Sequence, residues 1–166
     1  MRGAVKLVVV PFHSDKEEKV SRIKRVAFIV VVLGGVIQLY PVERTNPPVL
    51  AGFTGPEDVK EVLRTACYDC HSNETKWPLY SYVAPISWLV ADDVAEGREH
   101  MNLSEWGSFT AKKQAEFREE IWEEVEEGEM PLPIYLPTHP EADLSEDQRR
   151  ILKRWSESGS AHRDTE

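Results

Sequence analysis

The two cysteines of this 166-residue chain stand three apart, in Cys67-Tyr68-Asp69-Cys70-His71. A pair this close cannot tie distant parts of the chain together, so no disulfide framework within the chain can substitute for a core. The C-x-x-C-H order is instead the attachment pattern of c-type haem. Its spacing has a physical reason: near the end of a helix, positions i and i+3 lie on one side, where both thiols can meet the two vinyl groups of one porphyrin edge. The next residue then brings an imidazole beneath the iron, with Nε2 as ligand and the other ring nitrogen donating to a carbonyl. The prediction is one covalent haem c and its iron, with Cys67 and Cys70 as thioether sites and His71 as proximal ligand.

Two other chemistries use paired cysteines. A dithiol redox pair of thioredoxin type sits after a strand in a βαβ setting, and no alternating strand pattern exists here. A zinc site needs two more ligands at suitable spacing, whereas His100, His139 and His162 are scattered.

Four helices can be read in the body of the chain. The first opens at Thr54-Gly55-Pro56 and runs to the cysteines with Val59, Val62, Leu63 and Ala66 on one face. The second opens at Ala84-Pro85 and stops near Gly97, read as a left-handed cap. The third covers about 110–127, with an apolar stripe of Phe117, Ile121, Trp122 and Val125 and a solvated glutamate face. The fourth starts at the capping box Ser145-Glu146-Asp147-Gln148, carries Ile151, Leu152 and Trp155, and ends at Gly159. The fold class is therefore all-α. Residues 130–143 contain MPLPIYLPTHP, too apolar for a loop in water, and are predicted to wrap an apolar object.

Charge divides the chain. The first 45 residues carry eight basic and four acidic side chains, and residues 46–166 carry twelve and twenty-five. An acidic body argues against nucleic acid and for a basic protein partner. Ahead of it, residues 26–40 form an uncharged run behind Arg22, Lys24 and Arg25, the order of an export signal or signal-anchor. Fifteen helical residues reach about 22 Å, short of a bilayer core of about 30 Å, a gap that snorkelling by Lys24 and Arg25 would narrow. No small-residue cleavage pattern follows the run, so a retained transmembrane helix is preferred to a cleaved signal or a buried core helix.

The resulting division is a basic cytoplasmic region over 1–25, a membrane helix over 26–40, a linker over 41–53, a haem domain over 54–160 and a tail over 161–166. Pro47 and Pro48 make the linker extended. Residues 1–19 fit no export pattern, and are either a cytoplasmic tail or the product of a translation start misplaced upstream of Val20.

One imidazole leaves a second axial place on the iron, which a thioether or another imidazole fills. The candidates are Met130, His139, His100 and Met101. Gly128 two residues before Met130 and Pro131 directly after it describe a held turn, not a helical core position. Gly128-Glu129-Met130-Pro131 also resembles the G-x-M-P segment that carries the distal methionine of class I cytochromes c, and it lies between the third and fourth helices as that fold requires. Met130 is preferred as distal ligand, with His139 and then His100-Met101 as the alternatives and an open iron as the remaining case.

From Arg44 onward the chain resembles the haem-binding domain family, small single-haem bacterial proteins that are cytochrome c-like and carry an N-terminal membrane segment. The likeness runs through Arg44-Thr45-Asn46-Pro47-Pro48, Cys67 to Asn73, Trp77-Pro78, Tyr80, Ala84-Pro85, Trp88, Glu96-Gly97-Arg98-Glu99-His100, Ser104-Glu105-Trp106, Gly128 to Pro131 and His139-Pro140. It implies a cytochrome c-like helical domain wrapped around one haem, on the far side of the bacterial inner membrane, in the periplasm. Trp77, Tyr80, Tyr82, Trp88 and Trp106 offer donors to haem propionates or simple packing. Arg98 offers a propionate contact or a surface ion pair. The expected function is single-electron transfer and not enzymatic turnover, without a small-molecule substrate. The alternatives are a haem-based sensor or small peroxidase with a labile sixth ligand, and a haem subunit of a membrane complex.

Overall fold

The computed structural model describes residues 15–160, with side-chain burial for 18–158. The expectations for residues 1–14 and for the tail 161–166 fall outside the described residues. Contacts divide the chain at Pro41 and Val42 into two units. Among the described residues all regular structure is helical, which gives an all-α fold.

The first unit holds α1, Asp15–Ile37. The expected transmembrane helix over 26–40 is corrected at both ends. The mixed-charge residues join the helix, because Lys, Glu and Arg are good helix formers and Arg22 donates to Glu18 one turn away at 2.7 Å. The helix stops at Ile37, and a turn follows in which the Leu39 and Tyr40 amides donate to Val36 and Ile37. Pro41 disfavours continued helix at Tyr40. Only 26–37 is then both helical and uncharged, about 18 Å at 1.5 Å per residue. No described helix is long and apolar enough to cross a membrane. Val26, Phe28, Val31 and Leu33 are exposed on α1.

The second unit is built from α2 (Glu57–Ala66), α3 (Tyr68–His71), α4 (Ile86–His100), α5 (Ala111–Glu127) and α6 (Glu146–Ser160), with short 3-10 turns between them. The apolar stripes pack as the sequence predicts. Val59, Val62 and Leu63 of α2 meet Phe117 and Val125 of α5 and Leu152 and Trp155 of α6 in one core. Trp106, fully buried, sits at its centre with ring centroids 5.3 Å from Phe53 and 5.6 Å from Trp155.

The caps follow the local chemistry. Thr110 accepts from the Lys113 amide at the start of α5. Ser145 and Gln148 exchange side chain to backbone bonds ahead of α6, so the capping box is formed.

Residues 44–53 are extended and tied down. Asn46 donates to the Thr75 carbonyl, Asn73 donates to the Pro48 carbonyl, and Ala51 exchanges backbone bonds with Ser104 and Gly107. Phe53 then enters the core.

α4 does not stop at Gly97 but continues to His100. A Cβ at Gly97 would stand 2.9 Å from the Cys70 carbonyl oxygen and 3.2 Å from its carbon. The glycine serves a close helix crossing and not a cap. That crossing brings α4 against the cysteine segment.

Candidate functional site

α2 ends where the cysteines begin. Cys67 closes α2 through its amide to Leu63 O, and with φ −121° and ψ −30° it departs from helical geometry. One further turn, α3, follows, in which Cys70 and His71 both donate to Cys67 O. This sets the two thiols one turn apart with the imidazole next to the second. Ser72 stops the turn: its hydroxyl donates to Tyr68 O and accepts from the Glu74 amide.

His71 is oriented from α4's end. Its Nδ1 lies 3.2 Å from the Met101 carbonyl oxygen, and Met101 itself caps α4 by donating to Gly97 O. A carbonyl only accepts, so Nδ1 carries the proton and Nε2 keeps its lone pair. Burial, the largest effect, lowers the imidazole pKa, which also favours the neutral ligand form.

The third side arrives from the end of α5. Gly128 takes φ +79°, a left-handed conformation, and the amides of Glu129 and Met130 both return to Glu124 O. The turn sends Met130, Pro131 and Leu132 back over α5.

These pieces line an open cavity of about 340 Å³. Cys67, Cys70, His71 and Met130 all line it, with Ala66, Met101, Ile121, Val125, Leu132 and Tyr135 supplying apolar wall. Asp69, Asp93, Glu96, Glu120 and Glu124 also reach it, and no Lys or Arg does. Of the α5 glutamates read as wholly solvated, Glu120 and Glu124 are thus half-buried at the cavity.

Among the four sixth-ligand candidates, Met130, His100 and Met101 line the cavity and His139 does not. His139 stacks on Tyr135 at 3.8 Å between ring centroids and 7° between planes, and lies 3.4 Å from the Tyr80 hydroxyl. His100 faces Glu120 at 2.9 Å.

The thiols do not have the electrostatics of a redox dithiol. Burial, helped by Cys70, pushes Cys67 up to about 12, and burial, helped by Asp93 and Asp69, pushes Cys70 up to about 11. Reactive cysteine pairs work the other way, with a depressed thiol pKa. Among the described residues no group of three or more His, Cys, Asp or Glu could hold a metal ion.

A large apolar cavity with a methionine, an oriented neutral imidazole and two protonated thiols on its wall does fit haem, which offers a flat apolar body, an iron for the soft and nitrogen donors, and vinyl carbons for sulfur.

Three contributors escape a reading by motif. Gly97 resembles a local cap in sequence. Tyr135 is one apolar residue of a proline-rich run, yet its hydroxyl donates to Asp69 Oδ2 at 2.9 Å. Arg98, weighed as a propionate contact or a surface ion pair, is engaged by four oxygen atoms of its own chain. It donates to the carbonyls of Ser72 and Thr45, to Asn46 Oδ1 and to Thr75 Oγ1, tying the extended 44–48 segment to the chain after His71.

The sequence profile of the haem-binding domain family matches residues 32–158. No curated protein and no solved structure matches the chain. With the profile covering more than half of the chain and the cavity suited to the cofactor, the protein belongs to the haem-binding domain family.

Proposed function

We propose that the protein is a c-type, single-electron carrier in which Cys67 and Cys70 hold the haem covalently, His71 is its proximal ligand and Met130 its distal one. The observation that supports it is the convergence on one apolar-walled cavity of both thiols, the His71 imidazole fixed through Met101 O, and the Met130 segment turned back by Gly128. Cys67 and Cys70 would hold the group through thioether bonds, each thiol adding its sulfur and hydrogen across one vinyl group without an oxidant. When bound, the group supplies a one-electron iron couple whose potential is set by its axial donors and by the dryness of the site.

The chain's own work is positional. His71 presents Nε2 and keeps its proton on Nδ1, Met130 offers a thioether that needs no proton, and Ile121, Val125 and Leu132 give the cofactor an apolar wall.

Placement outside the cytoplasm is part of the same reading. Arg22, Lys24 and Arg25 followed by the twelve uncharged residues 26–37 match the basic and apolar regions of an export signal. The acidic body suits a basic redox partner.

The test is expression with a c-type maturation system. The mature polypeptide is expected to exceed its amino-acid mass by one haem and to keep its pigment in acidic acetone. Its reduced form is expected to be low-spin and unaffected by carbon monoxide, and Met130→Ala is expected to bind that gas rapidly. A polypeptide of amino-acid mass alone sinks the covalent reading. An unchanged Met130→Ala spectrum sinks the distal assignment, and rapid gas binding by the natural sequence turns the reading to a sensor or small peroxidase.

A further inference from the structure

Met130 belongs to no helix, so something outside its own turn has to keep it at the cavity. The segment from 128 to 135 is fixed at both ends. At its start, Glu129 and Met130 donate to Glu124 O. At its far end, the Tyr135 hydroxyl donates to Asp69 Oδ2 at 2.9 Å, and both Tyr135 and Asp69 line the cavity. Asp69 is one of the two residues between the cysteines, where haem attachment itself asks for no particular side chain.

Each partner is held in turn. Asp69 Oδ1 accepts from the Lys76 amide at 3.0 Å, and the Asp69 carbonyl accepts from Thr75 Oγ1 at 2.8 Å, so the carboxylate is oriented by the chain that follows His71. The Tyr135 ring is oriented by the parallel His139 ring, which is itself near the Tyr80 hydroxyl, and the Tyr135 amide donates to Leu132 O. A hydrogen bond from a neutral hydroxyl to a carboxylate is among the stronger kinds available to a protein.

We propose that Asp69 and Tyr135 form a latch that fastens the Met130 segment to the haem-attachment turn, making Tyr135 a positioning residue for the sixth iron ligand. The inference rests on the proposed Met130 ligation. It gives His139 a place in this site as the support of Tyr135 and not as an iron donor. The latch joins the two halves of the coordination shell, His71 on one strand of the tie and Met130 on the other, through one bond. Breaking it frees the far end of the segment while leaving Met130 itself intact.

The experiment uses the haem-loaded full chain. Tyr135→Phe keeps the ring and its stack and removes only the hydroxyl. It is expected to raise the rate of carbon monoxide binding to the reduced protein about tenfold, the size of effect that losing one hydrogen bond to a charged group produces. Amide hydrogen exchange over 129–136 is expected to quicken in the same variant. Asp69→Ala, which also loses the bond from the Lys76 amide, is expected to bind the gas at least as fast as Tyr135→Phe, and the double variant no faster than the Asp69 variant alone, since the Tyr135–Asp69 bond is already gone. A merely structural role for either residue lowers stability and leaves gas binding unmoved. Wild-type gas binding and exchange in Tyr135→Phe overturn the latch. If Met130→Ala opens the iron while Tyr135→Phe does not, the latch alone is wrong; if Met130→Ala changes nothing, the ligation it rests on is wrong.

Discussion

Gly97 shows how one residue can carry two incompatible readings. In sequence it precedes Arg98-Glu99-His100 near the end of an apolar-periodic stretch, which is where a left-handed cap is sought. In the structure it lies inside α4, and the atoms nearest its absent side chain are backbone atoms of Cys70, which cannot swing aside. Gly97→Ala is therefore expected to push α4 off the cysteine turn at a cost of about 1–3 kcal/mol. It should lower the thermal midpoint and the fraction of chains that carry haem, read by denaturation and intact mass. A midpoint and haem content equal to the natural protein's would mean that the crossing is looser than the 2.9 Å approach indicates. No local pattern marks this residue, because the crossing depends on a segment 27 positions away. Arg98 illegibly joins three stretches for the same reason: its partners Thr45, Asn46, Ser72 and Thr75 are fixed only once the chain has folded. By contrast Cys67, Cys70 and His71 are legible as a group because the covalent attachment proposed for them demands a fixed local spacing.

At the scale of elements, amphipathic stripes and caps carried most of the information. α2, α5 and α6 were legible because each buries one face and each start is written in nearby residues, as in Thr110 and the Ser145–Gln148 box. The break at Cys67 and the docking of 44–53 were not, since the first depends on tertiary packing and the second on side-chain bonds to distant carbonyls. The end of α5 lies between these cases. Glycine there signals a stop, but only the structure shows that the stop aims Met130 at the cavity. A Cβ at Gly128 meets nothing within 4 Å, so the cost of Gly128→Ala is backbone strain alone at φ +79°, about 1–2 kcal/mol. Gly128→Asn, whose side chain tolerates left-handed backbone, is expected to recover most of it. The measurement is the thermal midpoint of the three proteins. An alanine variant as stable as glycine would show that the turn relaxes into another conformation, and with it the argument that Gly128 positions Met130 would fall.

Over the whole molecule, the division of charge is what remains once the cofactor has accounted for the cavity. Residues 46–166 hold twenty-five carboxylates against twelve cations, and the cavity is lined by Asp69, Asp93, Glu96, Glu120 and Glu124 with no Lys or Arg among them. Some of this excess is plain solubility. Under the proposed electron-carrier function its presence at the cavity is more specific, because a partner exchanging electrons would have to approach the cofactor, and an acidic surround repels an acidic partner while drawing a basic one. Long-range attraction of this kind acts on the encounter and is screened by salt. Electron exchange with a basic redox protein is therefore expected to slow by an order of magnitude or more as ionic strength rises from about 0.01 M to 0.15 M, where the screening length falls from about 30 Å to 8 Å. An acidic partner of similar potential should show the reverse trend, since salt then removes repulsion. Glu96→Gln leaves the shape of the exposed side chain and removes one charge beside the cavity, so it should flatten the salt dependence with the basic partner without changing the rate at high salt. Stopped-flow measurement of the second-order rate constant against salt decides the matter: a slope near zero for both partners would leave the acidic body with no role in choosing them.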